Sequence, residues 1–253
     1  MNGPETLTSR QNPLLSQLVK LQNSRRLRQK EGLFVGDGTK LLDEAIKWYP
    51  QGLRAVVLRE GVACPELPEG VRLVQVSTGL MDQISAMETP EGALFLCALP
   101  PEQEAALQPG TLVLDGIQDP GNVGTILRTA DAFRVPVVLT EGCADPYNPK
   151  TVRATMGAIF RTSPGRMSRE NLISQCRQKH IPLLATALSD SARDIRQADL
   201  KNAAVVIGSE GRGVSTQLLK ASQGQVVIPM NPRCESLNAA VAASIALWQM
   251  TGL

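Results

Sequence analysis

Apolar and polar positions follow two rhythms along this chain, and the changes of rhythm mark its elements. After Asn12 and Pro13, a sound helix start, Leu14, Leu15, Leu18, Val19 and Leu21 recur at helical spacing. Arg25, Arg26, Arg28 and Lys30 follow on or just beyond that helix. Leu33 to Val35 reads as a short strand, Gly36 and Gly38 as a turn, and Lys40 to Trp48 as a second amphipathic helix. Apolar runs at 53–59 and 71–77, a short helix near 79–85 and a further run at 93–99 complete a small α/β domain.

The stretch 99–110, LPPEQEAALQPG, is proline-rich and acidic and has no sustained apolar period. It predicts a linker between a domain of residues 1–98 and one of residues 111–253. Beyond it the strand pattern restarts at 111–115, 135–140, 159–162, 182–188, 203–209 and 225–230. Helices are expected near 124–133, 149–156, 168–179, 215–221 and from about 239 to the end. Near-continuous apolar strands separated by helices predict a parallel sheet covered on both faces. The fold class is α/β in both parts.

Composition narrows the chemistry. The five cysteines stand singly with no CxxC pair, which argues against a zinc site or a disulfide framework. A single histidine, His180, means that proton transfer has to use other residue types. Aromatic residues make up 3% of the chain, too few for a row of base-stacking platforms. No basic-then-apolar leader and no apolar run near the ~18 residues of a membrane span are seen, so a soluble cytoplasmic protein, without membrane or metal, is expected.

The net charge of +2 hides segregation. Residues 1–40 carry seven basic against three acidic side chains and 120–180 nine against four, while 41–119 carry four against twelve. Basic segments of this kind bind phosphate even when the total is small.

In open α/β sheets ligands collect beyond the carboxyl ends of strands, and three loops there hold candidate chemistry. In LDGIQDPGNVGTILRTADAF, Asp119 to Asn122 read as a tight turn before a helix carrying Arg128 and Asp131. Those two have the spacing of a surface ion pair, although Arg128 could instead face a ligand cleft. The spacing mimics a P-loop, but Asn122 stands where lysine is required, so ATP or GTP binding is rejected. In VVIGSEGRGVS, Gly208, Gly211 and Gly213 permit close backbone approach and Glu210 adds a carboxylate, without matching GxGxxG. In VVIPMNPRCESLNAA a strand ends near Pro229, a turn with Pro232 follows, and Ser236, Leu237 and Asn238 stand at a helix entrance, where unpaired N–H groups await a cap or a ligand.

Taken in order, Asn122 with Arg128, then IGSEGRG, then IPMNPRCESLNAA resemble the three motifs of the SpoU, or TrmH, family of RNA ribose 2′-O-methyltransferases. The resemblance covers residues 111–250. The N-terminal part is similar, more loosely, to the family's L30e-like RNA-binding extension, with FVGDG where a turn of the type FLVEG is usual; Asp37 keeps the acid but shortens it. The third motif reads SLNAAVA where SLNVSVA is more common.

The resemblance implies a C-terminal trefoil-knot domain, a homodimer and S-adenosylmethionine as cofactor, with Gly208, Ile228 and Leu237 lining the adenosine pocket. It implies that Arg128 activates the ribose hydroxyl and that Asn122, Glu210, Ser236 and Asn238 orient the reacting groups. Arg25, Arg26, Arg28 and Lys30 are the expected RNA contacts. Ribosomal RNA of the large subunit is the favoured substrate; a tRNA ribose methyltransferase and a non-catalytic RNA-binding module of the same fold are the alternatives.

Overall fold

The computed structural model describes residues 5–101, 106–189, 191–231 and 233–252. Pro232 and residues 102–105 of the expected linker lie outside the described residues. The chain forms two compact units, Met1–Pro101 with Asp145–Ser163, and Glu102–Ala144 with Pro164–Leu253.

In the first unit β1 (Glu5–Thr6) precedes α1 (Pro13–Asn23), α2 (Arg25–Glu31), β2 (Leu33–Asp37), α3 (Thr39–Trp48), β3 (Leu53–Arg59), β4 (Arg72–Val76), α4 (Thr78–Ile84) and β5 (Ala93–Ala98). Asn12 caps α1 by accepting the Leu14 N–H at 3.0 Å, with Pro13 in the first turn where its missing N–H costs nothing. The sheet order is β1-β4-β3-β5-β2, parallel from β1 to β3 and antiparallel at β5 and β2. Leu15, Leu18 and Leu21 of α1 bury against Val35, Val57 and Leu94.

Gly36 belongs to β2 instead of a turn. The ring of Phe95 stands 2.1 Å from where a Cβ would be, so the glycine is required by packing. Gly38, at φ +127, does make the turn.

The second unit opens with β6 (Thr111–Asp115), α5 (Pro120–Phe133) and β7 (Val137–Leu139). The chain then enters the first unit for residues 145–163, which include α6 (Pro149–Ala154). This segment was expected in the C-terminal domain, with a strand at 159–162. Instead Ala158–Phe160 form a single 3-10 turn. Phe160 lies against Phe34 and Phe95, with ring centroids 6.1 Å apart in both pairs, and Tyr147 lies 5.0 Å from Phe34. Aromatic rings bury about 150–250 Å² each, and this packing sets the local shape.

The same segment overturns one expected RNA contact. Arg28 is 3% exposed, and its Nε and Nη2 donate to Asp145 Oδ2 at 3.0 and 2.7 Å while Nη1 donates to the Leu21 carbonyl at 2.6 Å. Its guanidinium is committed inside the unit. Arg25, Arg26 and Lys30 remain exposed on α2.

Back in the second unit follow β8 (Gly165–Arg166), α7 (Arg169–Gln178), β9 (Leu183–Thr186), β10 (Arg193–Asp194), β11 (Ala204–Gly208), α8 (Thr216–Ala221), β12 (Gly224–Val227) and α9 (Ala239–Thr251). All seven strands are parallel, in the order β10-β12-β9-β11-β6-β7-β8. Val113, Ala204 and Val206 on one face bury with Leu172, Cys176 and Leu218 of α7 and α8. Leu112, Leu114, Val205 and Ile207, at the alternate positions, are buried too, and α9 packs on β11 and α5. The chain leaves β6 toward β7 and β8, then returns on the far side of β11, so the carboxyl ends of β6 and β11 flank a switch point where ligands collect.

Candidate functional site

Two helix entrances and one loop converge at this end of the second unit. Asp119 caps α5 by accepting the Asn122 N–H at 2.8 Å, so residues expected as a tight turn, Pro120 to Asn122, are already the first helical turn. Asn238 caps α9, its Oδ1 accepting from the N–H groups of Ala240 at 2.9 Å and Val241 at 3.3 Å. That choice fixes every bond that follows. With Oδ1 engaged, Asn238 can only donate through Nδ2, which it does to Asn122 Oδ1 at 3.1 Å. Asn122 must then donate through its own Nδ2, and the acceptor is Glu210 Oε1. A directed chain thus runs from the α9 entrance across the α5 entrance to the loop after β11.

Beside this chain lies a cavity of about 360 Å³, within the range of small-molecule sites. The ends of β9, β11 and β12 and the entrance of α9 line it, with Leu188, Ile207, Ile228, Leu237 and Ala242 making its apolar walls. Gly208, Glu210 and Ser236 complete the rim. A Cβ on Gly208 would come within 2.0 Å of Gly213 and 2.1 Å of Val214 backbone atoms, so the loop 209–214 can fold back on the strand end only because this residue is glycine. Apolar walls of this kind suit the face of a flat ring.

The structure therefore brings together, around one cavity, eight residues singled out from the sequence. Gly208, Glu210, Gly213, Ile228, Ser236 and Leu237 line it, and Asn122 and Asn238 are bonded to Glu210 or to each other. Arg128 is exposed further along α5 and is not among the lining residues. Arg25, Arg26 and Lys30 lie in the other unit. Among the described residues, no group of three His, Cys, Asp or Glu could hold a metal ion. No helix of the described residues is long and apolar enough to cross a membrane.

Two further residues escaped sequence reading. Asp115, at the end of β6, is 2% exposed and accepts from the Ser215 N–H, the Thr140 hydroxyl and Arg169 Nε. Burial pushes its carboxyl up, but those donors outweigh burial and hold it below the ordinary carboxylate range. The only signal in the sequence was an acid closing the apolar run TLVLD. Arg169 carries no signal of its own.

Known proteins resemble this chain in sequence and fold. The SpoU rRNA Methylase family matches residues 109–248, and an MRM3-like substrate binding domain matches residues 12–94. The 23S rRNA (guanosine(2553)-2′-O)-methyltransferase RlmP of Bacillus subtilis is 31% identical over 237 residues, covering 92% of this chain and 94% of the relative. A TrmH-family protein from Porphyromonas gingivalis has a solved structure with a TM-score of 0.80 at 32% identity, covering 93% of this chain and 96% of that one. The AdoMet-bound structure of an rRNA methyltransferase from Sinorhizobium meliloti gives a TM-score of 0.83 at 26% identity, covering 98% of both chains. With three motifs joined at one cavity and a family match over more than half its length, this chain belongs to the SpoU rRNA methylase family.

Proposed function

We propose that this chain transfers a methyl group from S-adenosylmethionine to a ribose 2′-hydroxyl of RNA, with large-subunit ribosomal RNA as substrate. The observation that carries this reading is the directed chain from Asn238 through Asn122 to Glu210 beside an apolar cavity. The Bacillus relative's name specifies a 23S ribosomal RNA nucleotide, which supports that substrate over tRNA.

Bound S-adenosylmethionine supplies a methyl group already activated by its sulfonium. The protein's task is then alignment and proton removal. Ile228 and Leu237 would supply apolar surface to the adenine, and Gly208 would let the backbone come close. Asn122, Glu210, Ser236 and Asn238 orient the ribose and Arg128 by hydrogen bonds. Arg128 is the positive charge that stabilises the developing alkoxide, aided by the substrate's own phosphate, while the hydroxyl proton leaves to solvent.

Arg25, Arg26 and Lys30 hold RNA backbone through charge. The protein works as a homodimer in the cytoplasm, with its C-terminal segment threaded as the family's trefoil knot. On α9, Val241, Ile245 and Trp248 are exposed at helical spacing, an apolar stripe suited to a second copy of the chain.

The test is transfer of labelled methyl from S-adenosylmethionine to purified ribosomal RNA and tRNA, followed by alkaline cleavage. Label on large-subunit rRNA with cleavage blocked at one ribose is expected. Label on a base, with cleavage unchanged, overturns the chemistry; label on tRNA alone overturns the substrate. An absence of both transfer and calorimetric S-adenosylmethionine binding leaves only an RNA-binding module.

A further inference from the structure

Asp115 does not line the cavity, yet both ends of the loop that forms one cavity wall return to it. Gly208, where that loop leaves β11, is the ladder partner of Asp115 on β6. Ser215, where the loop ends and α8 begins, donates its N–H to Asp115 Oδ2 at 2.7 Å. Between these points Ser209 and Gly213 exchange two backbone hydrogen bonds, 3.2 and 2.8 Å long. Gly208 has no room for a Cβ beneath the returning strand of the loop. The loop has little slack, so its position follows from where its two ends are held.

The carboxylate is itself a rigid anchor. Its Oδ1 takes the Thr140 hydroxyl at 2.8 Å and Arg169 Nε at 2.7 Å. Arg169 is fixed in turn by donating Nη2 to the Glu141 carbonyl at 2.9 Å. Donors from three places in the fold, Thr140, Arg169 and Ser215, thus hold one buried acid, and of these only Ser215 belongs to the loop. A buried ion pair that served the sheet alone would have no need of that donor.

We propose that Asp115 is a positioning residue for cofactor binding: through the Ser215 N–H it holds the loop 209–214 against Gly208, shaping the cavity wall and placing Glu210 toward Asn122. This rests on reading the cavity as the S-adenosylmethionine site.

Ser215 supplies the test. Its φ of −58° suits proline, and Ser215→Pro replaces the one N–H by a ring carbon that pushes against Asp115 Oδ2, so the tie between the carboxylate and the loop is broken. The Ser215 carbonyl still accepts from the Leu219 N–H. Ser215→Ala keeps the N–H and removes only the hydroxyl. Each full-length variant is titrated with S-adenosylmethionine by calorimetry, and hydrogen exchange is read at the Ser209 and Gly213 amides.

Ser215→Pro is expected to weaken S-adenosylmethionine about tenfold or more and to speed exchange at both amides. Ser215→Ala should stay within about twofold of the parent on both readouts, because the anchoring donor is intact. Asp115→Asn should follow Ser215→Pro; if it does not fold, the serine pair still decides. Parent-like binding and exchange in Ser215→Pro overturns the proposal, and so does an equal loss in Ser215→Ala. If the parent binds no S-adenosylmethionine but Ser215→Pro alone speeds exchange, the cofactor reading fails while the anchoring of the loop stands.

Discussion

Asn238→Asp separates the role of the directed chain from the stability of the fold. The substitution keeps an oxygen to accept from Ala240 and Val241, and asparagine and aspartate are about equal as N-caps. A carboxylate at a helix N-terminus gains ~0.3–1 kcal/mol. Against this, the Nδ2 donor to Asn122 is lost, a hydrogen bond of net ~0.5–1.5 kcal/mol. The two terms nearly cancel, and the exposed position admits water. The folding free energy should therefore move by no more than ~1 kcal/mol, or about 2–4 °C in Tm for a chain of this size.

Activity should behave differently. If Asn122 turns its amide to satisfy the new carboxylate, its oxygen faces Glu210; if it does not turn, two acceptors face each other across the gap. Either way Glu210 loses its orienting donor or Asn122 loses its own. Losing one aligned contact in the transition state costs ~1.4 kcal/mol or more, which is at least about tenfold in kcat. Thermal unfolding followed by fluorescence and single-turnover methyl transfer check both halves. Parent-like turnover would refute a functional role for the chain. A Tm drop well beyond ~4 °C would refute the claim that the cap survives.

Other predictions follow from the same structure. Arg128→Ala should abolish turnover while S-adenosylmethionine binding by calorimetry stays within about threefold, since Arg128 lies outside the cavity lining; a parent-like rate removes it from catalysis. Neutralising Arg25, Arg26 and Lys30 together should flatten the salt dependence of RNA binding, each lost phosphate contact lowering the slope by about 0.7–0.9. Arg28→Met should instead strip Asp145 of its guanidinium partner and lower stability by as much as about 3–5 kcal/mol in denaturant titration. Asp37 is pushed up by burial, against the pull of the Ser85 and Ala86 donors, and its Oδ1 makes no well-formed hydrogen bond among the described residues. A raised carboxyl contributes stability at low pH and loses it as pH rises through its folded value. The Tm of Asp37→Asn minus that of the parent should accordingly grow as pH climbs from about 3.8 and then level off, and a difference that shrinks would reverse the assignment.

What could be read from the sequence was what short stretches decide for themselves. Asn12 with Pro13, and Asn238 ahead of the alanines, are caps whose partners lie two or three residues away, so the local pattern sufficed. The apolar strands of the parallel sheet announced themselves in the same way. What stayed hidden depends on distant partners. Arg28 sits in a run of charges that looks solvated, and the carboxylate that buries it is 117 residues away. Asp115 meets Arg169 across 54 residues and Ser215 across 100. Gly36 looked like a turn glycine because nothing nearby reveals the Phe95 ring above it. The apolar Ile159 and Phe160 looked like a strand because their tertiary packing, not their propensity, sets the local shape.

The segment 145–163 has a consequence for exchanging parts between relatives. The polypeptide passes between the two units three times, near residues 101, 144 and 163. A transplant of the first unit that takes only its N-terminal piece would leave Phe34 and Phe95 without Tyr147 and Phe160, and Arg28 without its acid. The first unit therefore cannot be exchanged by simple end-to-end fusion. Its exchange requires donor and recipient to agree on a stretch encoded inside the methyltransferase half, so the two halves are expected to diversify together.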